Sequence, residues 1–127
     1  MRLPPGPPLV WRRPDLLGDG QSAFWQGRFA FARDYWEAEA LMARGAERDC
    51  IRGLAEVAGG FLASDEGKSR RAERLLARAL RHLAQAPAEL DAVQVRLIRS
   101  AADLLYSALR RGQPANARGL VQHQPAL

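Results

Sequence analysis

Asp34 and Glu37 stand three residues apart in the segment FARDYWEAEA. On a helix that spacing puts both carboxylates on one face, where they could hold a hard cation or exchange protons. Two carboxylates are too few to fill a cation's coordination shell, so alone they specify no metal site. The second chemical pattern is basic: Arg70, Arg74, Arg78 and Arg81 recur at intervals of four, four and three, with Lys68 and Arg71 beside them. On a helix they form a stripe that could track phosphates. Glu73 and the acidic SDE turn before the stripe offset part of its charge, and no aromatic residue interleaves with the arginines to stack bases. Non-specific nucleic-acid binding through this stripe is the alternative function to weigh, and sequence-specific RNA recognition is not expected.

The chain has no glycine-rich phosphate loop, no paired metal-binding histidines and no nucleophile elbow, so each standard enzyme class lacks its first requirement. No catalytic residue, metal or cofactor is expected. Cys50 is the only cysteine among 127 residues, which excludes an internal disulfide and a thiolate-cluster zinc site. The net charge is +5, and 18 of the 19 basic residues are arginine. Such a field attracts polyanions, but biased base composition produces the same arginine excess. No uncharged apolar run approaches the roughly 20 residues that span a bilayer. The prolines of MRLPPGPPLVWRRPDLL interrupt any signal-peptide core. The expectation is a soluble, cytoplasmic protein with no membrane contact.

The elements that would position these residues are all helical. Residues 1–18 read as a Pro-rich extended arm. Asp19 is a candidate cap for a short helix through QSAFWQGRF that ends near Gly27. Phe29, Ala32, Trp36 and Ala40 fall at helical spacing beside Phe31, Tyr35, Ala38 and Met42. So wide an apolar arc predicts a central helix over about 29–43. Gly45 breaks the pattern, and a third helix follows over about 47–63 with Ile51, Leu54, Ala58 and Phe61 inward. Its Gly59-Gly60 pair costs roughly 1 kcal/mol per glycine relative to alanine, which close packing on a neighbouring helix would explain. Ala72, Leu75, Leu76, Ala79, Leu80 and Leu83 predict a fourth helix over about 70–84. Pro87 suits the first turn of a fifth, whose row Leu90, Val93, Leu97, Ala101, Leu104 and Ala108 runs to about Arg111. Residues 113–127 read as a tail with one further turn around Leu120 and Val121. The fold class is therefore all-α, a single compact bundle of about five helices over residues 19–112. The pair of helices from Asp49 to Leu83 has the small-residue spacing of a tetratricopeptide hairpin, but one such unit cannot bury its own face, so no repeat array is expected.

From Gly27 to Leu83 the chain resembles the domain of unknown function 309 family, whose helices carry EAHExWE and then LQGLIQ followed by a histidine. Phe31-Ala32-Arg33-Asp34-Tyr35-Trp36-Glu37 stands at the first motif and Ile51-Arg52-Gly53-Leu54-Ala55-Glu56 at the second. Gly67, Ala72, Leu75 and Ala79 keep the family's later small-residue rhythm. The resemblance implies a helical scaffold with a polar or metal-binding groove between its second and third helices. In this chain the family's histidines read as Arg33 and Ala63, its glutamate as Phe31 and its glutamines as Arg52 and Glu56. The groove is thus expected to hold Arg33, Asp34, Glu37, Arg52 and Glu56, with the arginines paired to the carboxylates across the two helices. Trp25, Phe24, Phe29, Phe31, Tyr35 and Trp36 cluster within a dozen residues and are expected mainly in the core. Phe31, replacing a polar family residue, is the exception that could make a contact surface. The functional expectation is a non-enzymatic interaction or assembly module, acting as a homo-oligomer or with a protein partner.

Overall fold

The structure, a computed structural model, describes residues 15–122. It contains six helices: α1 (Leu16–Trp25), α2 (Phe29–Ala40), α3 (Gly45–Asp65), α4 (Ser69–Leu83), α5 (Val95–Arg110) and α6 (Ala117–Gln122). Among the described residues there is no strand beyond an isolated bridge between Leu90 and Val93, so the fold is all-α. No helix among the described residues is long and apolar enough to cross a membrane.

Asp15, not Asp19, caps α1. Its carboxylate accepts from the Gly18 N–H at 3.0 Å, while Asp19 sits in the first turn, where a negative charge suits the helix dipole. Gly18 and Gly20 hide this start, because glycine is a poor helix former. The helix therefore begins inside the stretch expected as an arm; the expected arm's residues 1–14 lie outside the described residues, as do 123–127 of the tail.

The centre of the bundle is α3, not α2. Helix α3 packs against α2, α4, α5 and α6, whereas α2 packs on α1 and α3. The reason is in the composition of α3. Cys50, Ile51, Gly53, Leu54, Ala55, Val57, Ala58, Gly59, Gly60, Phe61 and Ala63 are all buried, so most of its circumference is covered, as in an interior helix. The arc of α2 is narrower than its sequence suggests: Phe29, Ala32, Trp36 and Ala40 are buried while Phe31 is 58% exposed.

Phe24, Phe29, Phe61 and Trp36 form the aromatic centre where α1, α2 and α3 meet. Phe61 lies 5.0 Å from Phe24 and 5.3 Å from Phe29 between ring centroids, in edge-on and tilted geometries. The indole N–H of Trp36 donates to the Leu17 carbonyl at 3.2 Å, tying α2 to the first turn of α1.

Helices α3 and α4 form a tight hairpin. Gly67 adopts φ +78 just past the α3 cap, the Lys68 N–H reaches back to the Ala63 carbonyl at 2.8 Å and the Gly67 N–H to Ser64 at 3.0 Å. This left-handed close is open to glycine at little cost. The same close ends α1 at Gly27.

Two expectations shift at α5. Pro87 does not start it; the chain first makes a turn in which Leu90 and Val93 exchange backbone hydrogen bonds. The Gln94 N–H is then held by Gln21 Oε1 at 2.7 Å. Burying Val93 in that turn sets the helix phase, so Ile98, Ala102 and Leu105 face inward and Leu104 is 61% exposed. Ala117 and Val121 of α6 are buried, and Arg118 pairs with Asp65 at 3.1 Å, so residues 117–122 belong to the bundle.

Cys50 is 2% exposed, and burial first, with the nearby Glu47 charge second, raises its thiol from 9.0 to about 11. The thiol is therefore protonated and unreactive at neutral pH. Because the folded value lies above the unfolded one, its contribution is complete below pH 9 and lost as pH rises toward 11. The urea midpoint is expected to decline over that interval, and Cys50→Ala to remove about 2 kcal/mol of the decline. Superimposable pH profiles for the two proteins would refute this.

Candidate functional site

The helical period builds a groove from α3 outward. Arg48, Arg52, Ala55, Glu56, Gly59, Leu62 and Ala63 fall on one face of α3 and, with Glu66 at its C-terminal cap, line an open cavity of about 1090 Å³. Helices α2 and α4 each pack on α3 and form its two walls. Arg33, Glu37 and Leu41 come from the α2 wall; Arg71, Leu75, Arg78 and His82 come from α4, with Lys68 in the turn before it. Arg48 and Glu66 are 18 positions apart, so the floor runs about 27 Å along the α3 axis.

Gly59 is the low point of the floor. A Cβ there would meet only Leu75 at 3.5 Å and the Arg33 side chain at 3.9 Å, which places the two walls on either side of it. With Ala55, Leu62 and Ala63, it makes an apolar strip down the middle of the groove. The rim is charged and mostly basic: Arg33, Arg48, Arg52, Lys68, Arg71 and Arg78 against Glu37, Glu56 and Glu66.

Glu56 is the groove's most connected carboxylate. Its side chain is 16% exposed and accepts from His82 Nδ1–H at 2.5 Å, and its second oxygen lies 3.6 Å from Arg78 Nε. This corrects the expected pairing across α2 and α3. Arg33 reaches Asp34, its neighbour on α2, at 3.2 Å, and Arg52 makes no ion pair among the described residues. The cause is helix packing. At Gly53 and Gly60 an added Cβ would stand 2.8 Å from Leu83 and 2.7 Å from Leu76, so α4 lies close on α3 and brings Arg78 and His82 level with Glu56. Arg33 instead crosses over Gly59, almost one turn further along α3.

The arginine stripe of α4 divides in the same way. Arg78 turns to Glu56 in the groove, while Arg70, Arg74 and Arg81 are exposed and line no part of it. Asp34 is also exposed and outside the lining. Of the expected groove residues, Arg33, Glu37, Arg52 and Glu56 are brought together.

Arg48 and His82 are groove residues that sequence reasoning passed over. Both had a readable signal. Arg48 continues the row Arg52, Glu56, Gly59 and Ala63 one turn toward the N-terminus, and His82 stands four residues after Arg78. Arg48, Arg52 and Arg71 form no ion pair among the described residues, and the Nε of Arg48 is buried without a hydrogen-bond acceptor.

A smaller concavity lies on the other side of α2, where Phe31 and Tyr35 meet Asp19, Ser22, Gln26 and Arg28. Phe31 is thus a rim residue rather than part of the aromatic centre. No group of three or more His, Cys, Asp or Glu side chains that could hold a metal occurs among the described residues.

No family model, curated protein or solved structure matches this chain.

Proposed function

We propose that this protein is a binding module whose α2–α3–α4 groove takes an acidic amphipathic segment of a partner protein. One observation carries the reading: a groove about 27 Å long, with an apolar strip from Ala55 to Ala63 along its middle, lies between basic rims in which Arg48, Arg52 and Arg71 form no ion pair among the described residues. A helix laid along such a floor would bury its apolar stripe and set carboxylates against both rims. The cavity, at about 1090 Å³, stands at the upper end of the roughly 300–1,000 Å³ usual for small-molecule sites, and it is an open groove rather than an enclosed pocket. A partner is favoured over a second copy, since every helix with acidic side chains among the described residues is already packed in the bundle. The likeness to the domain of unknown function 309 family belongs to the same proposal: Arg33, Glu37, Arg52, Glu56 and Ala63, at its motif positions, all line the groove.

Nucleic acid is the second reading, favoured by the exposure of Arg70, Arg74 and Arg81 on α4. The only aromatic ring among the residues lining the groove is the His82 imidazole, already engaged by Glu56, and no Phe, Tyr or Trp is there for a base to stack on.

Fluorescence anisotropy with a synthetic helix of about 18 residues separates the two. The peptide carries a Leu/Ala stripe flanked by glutamates, and its control is a shuffled isomer of the same composition. The patterned peptide is expected to bind at least about tenfold tighter than the isomer, and Arg52→Glu with Arg71→Glu to remove the difference. Equal binding of both peptides would overturn the segment reading. Tighter binding of a single-stranded RNA, lost on replacing Arg70, Arg74 and Arg81 by alanine, would replace it with the second.

A further inference from the structure

We propose that the Arg48–Arg52 end of the groove is a subsite for a phosphate monoester dianion, carried as a phosphorylated side chain on the docked segment. The inference rests on the reading of the groove as a segment-binding surface and adds the chemistry of one anchor.

Arg48 and Arg52 are one helical turn apart on the same face of α3 and both line the cavity. Like charges at that spacing repel each other unless a shared anion sits between them. The described residues supply none. Glu56, one turn further on, is engaged by His82 and Arg78, and Glu37 on the facing wall pairs with neither arginine. Glu66 is held by Lys68 at 3.6 Å at the far end of the groove. Exposed Glu47 and Asp49 neighbour Arg48 in sequence but project from other sides of α3 and form no ion pair with either arginine.

Arg48 is half-buried, and the state of its Nε sharpens the point. Its Nε–H is removed from solvent and has no acceptor, a charged donor whose hydrogen bond is unmade in the free protein. Leaving such a donor desolvated and unsatisfied costs stability, and an incoming oxygen would recover it. Two guanidiniums bring two positive charges and a set of forked N–H donors. A phosphate monoester, with about two negative charges and three acceptor oxygens, matches both quantities; a single carboxylate matches neither. The apolar strip at Ala55 and Gly59 begins immediately beyond, so a segment anchored here by its phosphate lies along the floor.

The test uses the whole protein, labelled with nitrogen-15, and two probes. Blocked phosphoserine alone is expected to shift the Arg48 Nε–Hε resonance in a saturable way, and blocked aspartate to leave it in place. In anisotropy, the patterned peptide with phosphoserine in its first or its last turn is compared with the same peptide carrying glutamate there. One of the two phosphopeptides is expected to bind at least about tenfold tighter than its glutamate counterpart. Arg48→Gln and Arg52→Gln each remove that gain, while Arg71→Gln, at the opposite end, retains it. If the glutamate peptide binds but phosphoserine neither shifts Arg48 nor improves affinity, the phosphate subsite is overturned and the groove reading stands. If phosphoserine shifts Arg48 but neither patterned peptide outcompetes its shuffled isomer, the groove reading fails and takes the segment-borne phosphate with it.

Discussion

Trp36→Ala is expected to lower the free energy of unfolding by roughly 3–5 kcal/mol. Trp36 is fully buried, its ring lies 6.0 Å from Phe24, and its N–H is the donor to the Leu17 carbonyl. Removing it opens a cavity among α1, α2 and α3 and takes away the indole hydrogen bond that ties α2 to α1. Against a typical domain stability of about 5–15 kcal/mol the variant would be marginal, with a thermal midpoint lower by roughly 10–20 °C. Two milder variants approach the same contact from either side. Trp36→Phe keeps most of the ring volume and loses the hydrogen bond, for a loss of about 1–3 kcal/mol. Gly20→Ala adds a Cβ that would stand 2.3 Å from Trp36 Nε1, so the indole must move and its hydrogen bond to Leu17 must change. A net loss of about 1–3 kcal/mol is expected despite the better helix propensity of alanine. Urea denaturation reads all three, and a Gly20→Ala protein as stable as wild type would refute the account.

The second large effect separates two adjacent glycines. Gly60→Ala is expected to destabilise the protein by about 1–3 kcal/mol, because its Cβ would meet Leu76 Cγ at 2.7 Å. That atom is not the free end of a flexible chain: Leu76 is fully buried between α3 and α4. Gly59→Ala is expected to be neutral or to stabilise by up to about 1 kcal/mol, since its nearest neighbour would be 3.5 Å away and alanine is the better helix former. Opposite signs at neighbouring positions are the signature. If both variants lose stability equally, the close approach of α4 at Gly60 is wrong.

These two glycines also show how far the sequence could be read. The pair signals that some helix comes close, but only the direction of approach tells that α4 closes on Gly60 and leaves Gly59 facing the groove. The helices themselves were legible from their apolar period, with ends displaced by a few residues at most in α2, α3 and α4. The phase of α5 was not, because Leu97 and Leu104 repeat with the same spacing as Ile98 and Leu105. A bridge between Leu90 and Val93 decides between the two rows, and that turn is set by contacts 71–73 residues away through Gln21. In the groove, the row from Arg52 to Glu56 was readable from spacing alone. Their partners were not, because ion pairing depends on how far α4 slides along α3, and that is fixed by Gly53 and Gly60 rather than by charge.

Gly59 has a consequence on the timescale of descent. Gly20, Gly53 and Gly60 are held in place by close contacts within the bundle, so altering them is expected to cost stability. Gly59 answers to the groove alone. A descendant that fills it with a small side chain keeps every packed contact and inherits a shallower floor, so ligand preference can drift while the scaffold persists. Divergence among proteins of this architecture is then expected to be fastest at the floor, with sister lineages sharing a skeleton and differing in what they hold.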